Sequence, residues 1–344
     1  MSKKKIAALL ITIGLLAAVF YEINWKELID TFRDFNFKNI WLIVPMYVLT
    51  LYARGIRWKA LLLNNPKYSS LHLGEVFTVG SMLNIFLPAR AGDVYRAYYL
   101  GSVKGEKKMK VFGSIILERT LDGISVFLML LLAILFYCKQ DWILHIAYGI
   151  GALFFGSLVV FYIVFKFNKI DAICEYFIRL VLKLPDRFSH RLSALIEKLS
   201  SHTKSFMEGF EVLDYWNYWL LACITSLVVW GIEAYVAYLI VDSFSLGLGF
   251  AAGLFVLSLI SFSTMIPSTS VFLGPYQVAY IMALGIFGIE KSTALAVSTV
   301  HQTLLMLMLT VIGGWFLLKF NISMKDIKNA EESEEKAEKE KLSV

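Results

Sequence analysis

Charge is scarce in this 344-residue chain: only 17% of its residues are Asp, Glu, Lys or Arg. A soluble domain needs a solvated charged surface, so this scarcity argues against one. Cysteine is also rare. Cys138, Cys174 and Cys223 stand far apart, with no CxxC pair and no metal-ligand spacing, and read as three inert thiols. There is no GxxxxGKS/T phosphate loop, no HExxH and no GxSxG, and no His precedes an Asp at the four-residue gap used by membrane acyltransferases. No soluble catalytic domain, cofactor motif or metal motif is left to read. The net charge of +6 is modest and points to cytoplasmic loops rather than to nucleic acid.

What the chain has is apolar length. Hydrophobic residues make up 58% of it. Several runs exceed the roughly 18 apolar residues that mark a spanning helix. Helices follow because a continuous apolar run satisfies its own backbone hydrogen bonds. The expected fold is all-α and polytopic, with about six full spans and two re-entrant helical hairpins. The spans are expected near 5–21, 40–62, 111–138, 142–165, 215–241 and 292–318. An amphipathic stretch, Trp25 to Phe35, separates the first two. Two apolar stretches are interrupted: 71–100 near Pro88–Gly92, and 246–289 in "IPSTSVFLGP", with Pro267, Gly274 and Pro275. These five residues are the expected breaks, because Pro lacks a backbone donor and Gly tolerates unusual dihedrals.

Lysine and arginine give the orientation. With the N-terminus inside, Lys3 to Lys5, the cluster Lys104–Lys110 and the basic run from Lys166 to Lys204 all fall inside. The positive-inside rule is then obeyed, provided each broken stretch returns to its own face. The first hairpin enters from the cytoplasm and the second from outside. Such a pair is the sequence pointer to inverted repeats. The expected division is a first membrane subdomain at 1–140, a connecting span at 141–165, a cytoplasmic amphipathic region at 166–214, a second membrane subdomain at 215–319 and a charged tail at 320–344. Both termini are expected in the cytoplasm and the chain in the cell membrane.

Against this background the segment "LPARAGDVYRAYYLG" stands out. A charge at membrane depth costs roughly 2.5–3.5 kcal/mol on insertion scales, so intramembrane charges usually face a cavity or a partner. Arg90 and Asp93 flank the break, and Arg96 lies one turn on. The next span carries "LERTLDG", in which Glu118 and Asp122 share a helix face and Arg119 is three residues from Asp122. Arg54 and Arg57 share a face of the 40–62 span. Arginine forks and the free N–H groups of a broken helix suit a phosphate. The functional reading is an anionic headgroup site reached from the cytoplasmic leaflet. The bland reading is an ion-pair brace. The second hairpin has no charge and offers Gln277. Glu233, inside the span before it, reads as an unpaired carboxylate, and His301 and Gln302 lie inside the last span.

Together, "RGIRWKALL", "NIFLPARAGDVYRAYYL", "ILERTLD" and a late P…G hairpin resemble the flippase-like membrane family of lysylphosphatidylglycerol synthase transmembrane regions, the UPF0104 type, over about residues 5–318. The resemblance implies two inverted hairpin subdomains that move lipids with charged headgroups between leaflets. Carried over by position, it adds Asn84 to Arg54, Arg57, Arg90, Asp93, Arg96, Glu118, Arg119 and Asp122. The second half departs from the family pattern, having Pro275, Tyr276 and Gln277 after Gly274 and His301–Gln302 in the last span. That leaves the outer half-site uncharged. The soluble aminoacyl-transfer domain is absent, so synthesis of lysyl lipid is not expected.

The leading reading is a non-enzymatic flippase or scramblase for an anionic, phosphate-bearing lipid, either a phospholipid or a polyprenyl-phosphate glycolipid. Its substrate-binding residues would be the nine above with Glu233 and Gln277. The alternatives are a membrane-embedded transferase with Glu118 or Asp122 as general base, and an accessory scaffold of an envelope pathway. The expected partner is the membrane lipid, and a homodimer and a partner enzyme are both compatible with the chain.

Overall fold

The structure is a computed structural model, and it describes residues 35–87, 90–103, 105–137, 141–167, 200–264 and 274–320. The expected 5–21 span, Pro88, Pro267, most of the 166–214 region and the charged tail lie outside the described residues. Every described element is helical. A short 3-10 turn leads into α1 (Ile40–Leu61). Then come α2 (Ser70–Phe86) and α3 (Ala91–Tyr98), the latter extended by a π-helical turn, Tyr99–Val103. Next are α4 (Lys108–Tyr137) and α5 (Asp141–Phe167). After a 3-10 segment, Glu208–Asp214, follow α6 (Trp216–Asp242), α7 (Phe250–Ser263), α8 (Pro275–Gly285) and α9 (Lys291–Lys319).

Five of these helices, α1, α4, α5, α6 and α9, coincide with expected full spans to within a few residues. Phe37–Leu61, Trp216–Asp242 and Lys291–Lys319 are long and apolar enough to cross a membrane by length and composition. At 1.5 Å per residue, even the 22-residue α1 reaches roughly 33 Å, enough for a hydrocarbon core of about 30 Å. The outward faces carry large apolar side chains, among them Trp41, Leu135, Trp315 and Leu318, which water would not favour. The protein is a polytopic helical membrane protein.

The two interrupted stretches fold as helical hairpins. In the first, α2 and α3 run antiparallel and touch through glycine. A Cβ on Gly92 would lie 1.8 Å from the Gly80 carbonyl oxygen, and one on Gly80 would meet the Arg96 side chain and the Gly92 carbonyl. At each break a side-chain amide caps a backbone donor at the start of the second helix. Gly92 N–H donates to Asn84 Oδ1 at 2.8 Å, and Gly274 N–H donates to Gln277 Oε1 at 2.8 Å. Without such partners an interrupted helix inside a membrane would strand its N–H groups. Gly274 has φ +91°, a value open to glycine. Arg90 takes the left-handed conformation at φ +54° immediately before α3, which is uncommon outside glycine.

The packing repeats between the two halves. α1 packs on α2 and α6 on α7; α2 on α3 and α7 on α8; α3 on α4 and α8 on α9. Each first hairpin helix also packs on the long helix of the other half, α2 on α9 and α7 on α4. α1 and α6 form the central antiparallel pair. The Asn39 side chain at the start of α1 donates to Leu239 O, Asp242 Oδ2 and Ser243 Oγ at the end of α6, each at 3.1 Å. Apolar packing forms two clusters. One gathers the ends of α1 and α9 with α2, α3 and the first half of α4. The other gathers the second half of α4 with α6 to α9. Glu118 to Asp122 lie on α4 between the two.

Gly92→Ala should therefore wedge the first hairpin apart, lowering stability by about 1–3 kcal/mol as overpacking does. Gly231→Ala on α6, where a Cβ meets nothing within 4 Å, should leave it unchanged or slightly raised. Thermal unfolding of the two variants in detergent makes the comparison, and equal midpoints would contradict the tight α2–α3 contact.

Candidate functional site

α1 brings Arg54 and Arg57 toward α4 on one side and α6 on the other. Arg57 is fully buried and bridges the two carboxylates of α4. Its Nη2 donates to Glu118 Oε1 and its Nη1 to Asp122 Oδ1, both at 2.6 Å. Ser226 Oγ on α6 lies 3.3 Å from the same Nη1. Glu118, also fully buried, takes a second guanidinium on its other oxygen, from Arg96 Nη2 at 2.5 Å. Arg96 lies over the Trp58 ring at 4.0 Å and the Phe77 ring at 4.7 Å, so its π-faces are covered by aromatic density. Arg119 Nη2 donates to Asp93 Oδ1 at 2.8 Å and its Nη1 to Asp122 Oδ2 at 3.3 Å. Asn84 Nδ2 adds a donor to Asp93 at 3.3 Å.

All nine residues of the first-half motif thus gather around the tip of the first hairpin. Eight of them form one connected network, and Arg90 stands at its edge. Arg57 does not snorkel toward a span end; its complete burial and its two carboxylates exclude that role. Glu233 joins from α6, and here the reading of an unpaired carboxylate is corrected. Arg54 Nη2 donates to Glu233 Oε1 at 2.6 Å, because α6 packs antiparallel on α1 and sets the two side chains face to face. Arg90 is different again. It is exposed, its charged neighbours are Arg119, Asp93 and Asp122, and among the described residues it has no hydrogen bond or ion pair.

The second half repeats the geometry without the charge. Asp93 and Gln277 are each the third residue of their hairpin helix, Arg96 and Tyr280 the sixth. Glu118 and His301 are each the eleventh residue of their long helix, Arg119 and Gln302 the twelfth. The contacts correspond. Where Asp93 pairs with Arg119, Gln277 Nε2 donates to Gln302 Oε1 at 2.7 Å. Where Arg96 pairs with Glu118, the Tyr280 hydroxyl hydrogen-bonds His301 Nδ1. Gln277 therefore braces the second break, and among the described residues its partners are Gly274 and Gln302 rather than a charged group of the first.

Between the two hairpin tips lies a cavity of about 270 Å³. Arg90, Arg119 and Asp122 line it from the first half. Trp230, Glu233, Thr264, Tyr276 and His301 line it from the second, with Tyr47 of α1 and Phe154 of α5. It lies beyond the tip of the first hairpin, on the side away from that hairpin's base. The expected access from the base side is not what the described residues form. Arg57, Arg96 and Trp58, all fully buried, fill that space instead. Sequence reasoning missed the aromatic lining. Trp230 is the clearest case, since its Nε1 donates to Asp122 Oδ1 at 2.8 Å. In an apolar span nothing local distinguishes such a Trp from one facing lipid. Among the described residues no three His, Cys, Asp or Glu side chains converge as a metal site.

Removing one partner of a buried pair costs about 3–5 kcal/mol, because it strands the other charge. Glu118→Gln weakens the hold on two buried guanidiniums at once and should lower detergent thermostability by at least that much or abolish folding. Arg90→Gln breaks no pair and should leave the unfolding midpoint nearly unchanged. A stable Glu118→Gln protein would show that the network is not a brace.

Comparison with known proteins adds the family. The lysylphosphatidylglycerol synthase TM region matches residues 5–313. A UPF0104 membrane protein of Pyrococcus horikoshii is 25% identical over 328 residues, 92% of this chain and 97% of that one. Another, from Methanocaldococcus jannaschii, is 25% identical over 252 residues, 72% of this chain and 98% of that one. The glycosyltransferase AglD of Haloferax volcanii is 28% identical over 123 residues, 35% of this chain and 20% of that protein. No solved structure matches. With the matched region running through both hairpins and the charged cluster, the chain belongs to the family of the lysylphosphatidylglycerol synthase TM region.

Proposed function

We propose that this protein moves lipids with an anionic phosphate headgroup between the two leaflets, as a flippase or scramblase without a covalent step. The observation that carries the reading is the cavity between the hairpin tips with Arg90 on its wall and, among the described residues, no ion pair to hold that guanidinium. At about 270 Å³ the space lies near the lower end of ligand cavities, roughly 300–1,000 Å³, so it admits a headgroup and leaves acyl chains outside. Broken helices meeting at mid-depth are the arrangement in which transporters bind polar cargo. Arg90 would take the phosphate, with Arg119 beside it. The aromatic rings of Tyr47, Trp230 and Tyr276 would shield the headgroup from hydrocarbon. The family name, that of the membrane region of a phospholipid-modifying synthase, favours a lipid cargo.

The transferase reading has less support. A general base must reach the proton it abstracts. Glu118 is fully buried behind two guanidiniums and does not line the cavity, and both oxygens of Asp122 accept hydrogen bonds from Arg57, Arg119 or Trp230.

In this reading both termini are cytoplasmic, the base of the first hairpin faces the cytoplasm and the base of the second faces outside. A cysteine at Lys107 should then label only from the cytoplasm and one at Ser245 only from outside. Labelling of both from one side would overturn the inverted arrangement. For the site, Arg90→Lys keeps the charge and loses the planar fork that grips a phosphate with two bonds. Its thermostability should match the parent, while lipid translocation in proteoliposomes should fall about tenfold, equivalent to roughly 1.4 kcal/mol. Parental transport by a folded Arg90→Lys protein would remove the bidentate contact from the proposal.

A further inference from the structure

We infer that the headgroup this cavity takes carries a single negative charge, as a phosphodiester does, rather than the two charges of a phosphomonoester or the zero net charge of a zwitterion. The inference rests on the lipid-transport reading above and narrows its substrate class.

The charges at the first hairpin tip do not cancel. Five arginines, Arg54, Arg57, Arg90, Arg96 and Arg119, face four carboxylates, Asp93, Glu118, Asp122 and Glu233. Each carboxylate lies within 3 Å of at least one guanidinium nitrogen. Four of the arginines are held in those pairs. The surplus positive charge falls on Arg90, which lines the cavity and has no pair among the described residues. The stretches flanking the tips do not alter the count, since residues 88–89 are Pro and Ala and 265–273 read MIPSTSVFL, without an ionisable side chain. His301 also lines the cavity, and no carboxylate touches it among the described residues. Its bond to Tyr280 is one a neutral imidazole makes.

Arg90 turns its exposed surface to the cavity, and a charge on the wall of a cavity inside a membrane protein is favoured by an opposite charge on the occupant. One anionic oxygen pair on Arg90 closes the count at zero. A monoester dianion would overshoot to −1, with every other arginine already committed. A zwitterion would leave the site at +1 and would also bring an ammonium to carboxylates that already hold guanidiniums. The second hairpin cannot correct either error, because its equivalents are the neutral pairs Gln277–Gln302 and Tyr280–His301.

The test is headgroup selectivity of the full chain in proteoliposomes, using fluorescent phosphatidylglycerol, phosphatidic acid and phosphatidylcholine at pH 8 and a membrane-impermeant quencher. Phosphatidylglycerol should cross at least tenfold faster than either of the others. Arg90→Gln removes the surplus charge and should reverse the preference, so that phosphatidylcholine crosses faster than phosphatidylglycerol. Glu233→Gln raises the surplus to two and should bring phosphatidic acid level with or above phosphatidylglycerol. Arg90 is exposed and breaks no pair, so its variant remains informative if Glu233→Gln fails to fold. Equal rates for all three lipids, or a selectivity untouched by Arg90→Gln, would overturn the inference and leave lipid transport standing. No movement of any lipid would instead overturn the transport reading. Uptake of labelled inorganic phosphate by the same vesicles, in place of lipid, would make the occupant a free ion and overturn that reading too.

Discussion

Arg57 sits in the middle of the protein with no exposed surface and two carboxylates at 2.6 Å. Most of the first half follows from the need to keep that guanidinium compensated. Glu118 and Asp122 must lie one helical turn apart on α4, facing α1. Arg96 must reach Glu118 from the first hairpin, because one carboxylate of that pair is shared between two arginines. Arg119 then pins Asp93, and with it the hairpin tip. The charges of the network sit on three elements, where each ion pair also fixes the angle of a helix. Buried ion pairs are poor sources of net stability, but breaking one is costly. The network therefore specifies how α1, α3 and α4 meet more than it adds to folding.

The second half keeps the scaffold and discards the charge. Gln277 with Gln302 and Tyr280 with His301 stand where Asp93 with Arg119 and Arg96 with Glu118 stand in the first. Charge-assisted hydrogen bonds are roughly twice as strong as neutral ones. The two hairpins are thus held by unequal contacts, and the cavity between them has one charged wall and one neutral wall. Glu233 is the exception on the neutral side, and it is tied to Arg54 of the first half. That pair crosses the pseudo-symmetric boundary along the α1–α6 contact.

Much of this was legible in the sequence. Span positions, both breaks and the eight charged residues around the first hairpin came from local signals: apolar run length, Pro and Gly placement, and charges at helical spacing; Asn84 came from the family resemblance. The i,i+4 relation of Glu118 and Asp122 predicts a shared face, and Arg57 bridges that face. The same reasoning failed for Glu233. An isolated carboxylate in a span looks identical whether it is paired or not, and its partner Arg54 is 179 residues away. It failed also for the site's aromatic wall, since Trp230 and Tyr276 are ordinary residues of apolar helices until a cavity forms beside them.

The sequence by itself determined that this is a helical membrane protein with two interrupted hairpins, one charged and one not. Hydropathy and helical period act over a few turns, so they are written locally. Only the tertiary structure decided which arginine each carboxylate holds, that Arg90 alone among the site's arginines stands outside those pairs, and that the open space lies beyond the first hairpin's tip rather than at its base. Those facts depend on how α1 crosses α6 and how each hairpin packs on the long helix of the other half. Such crossings join segments far apart in the chain, and no local pattern encodes them.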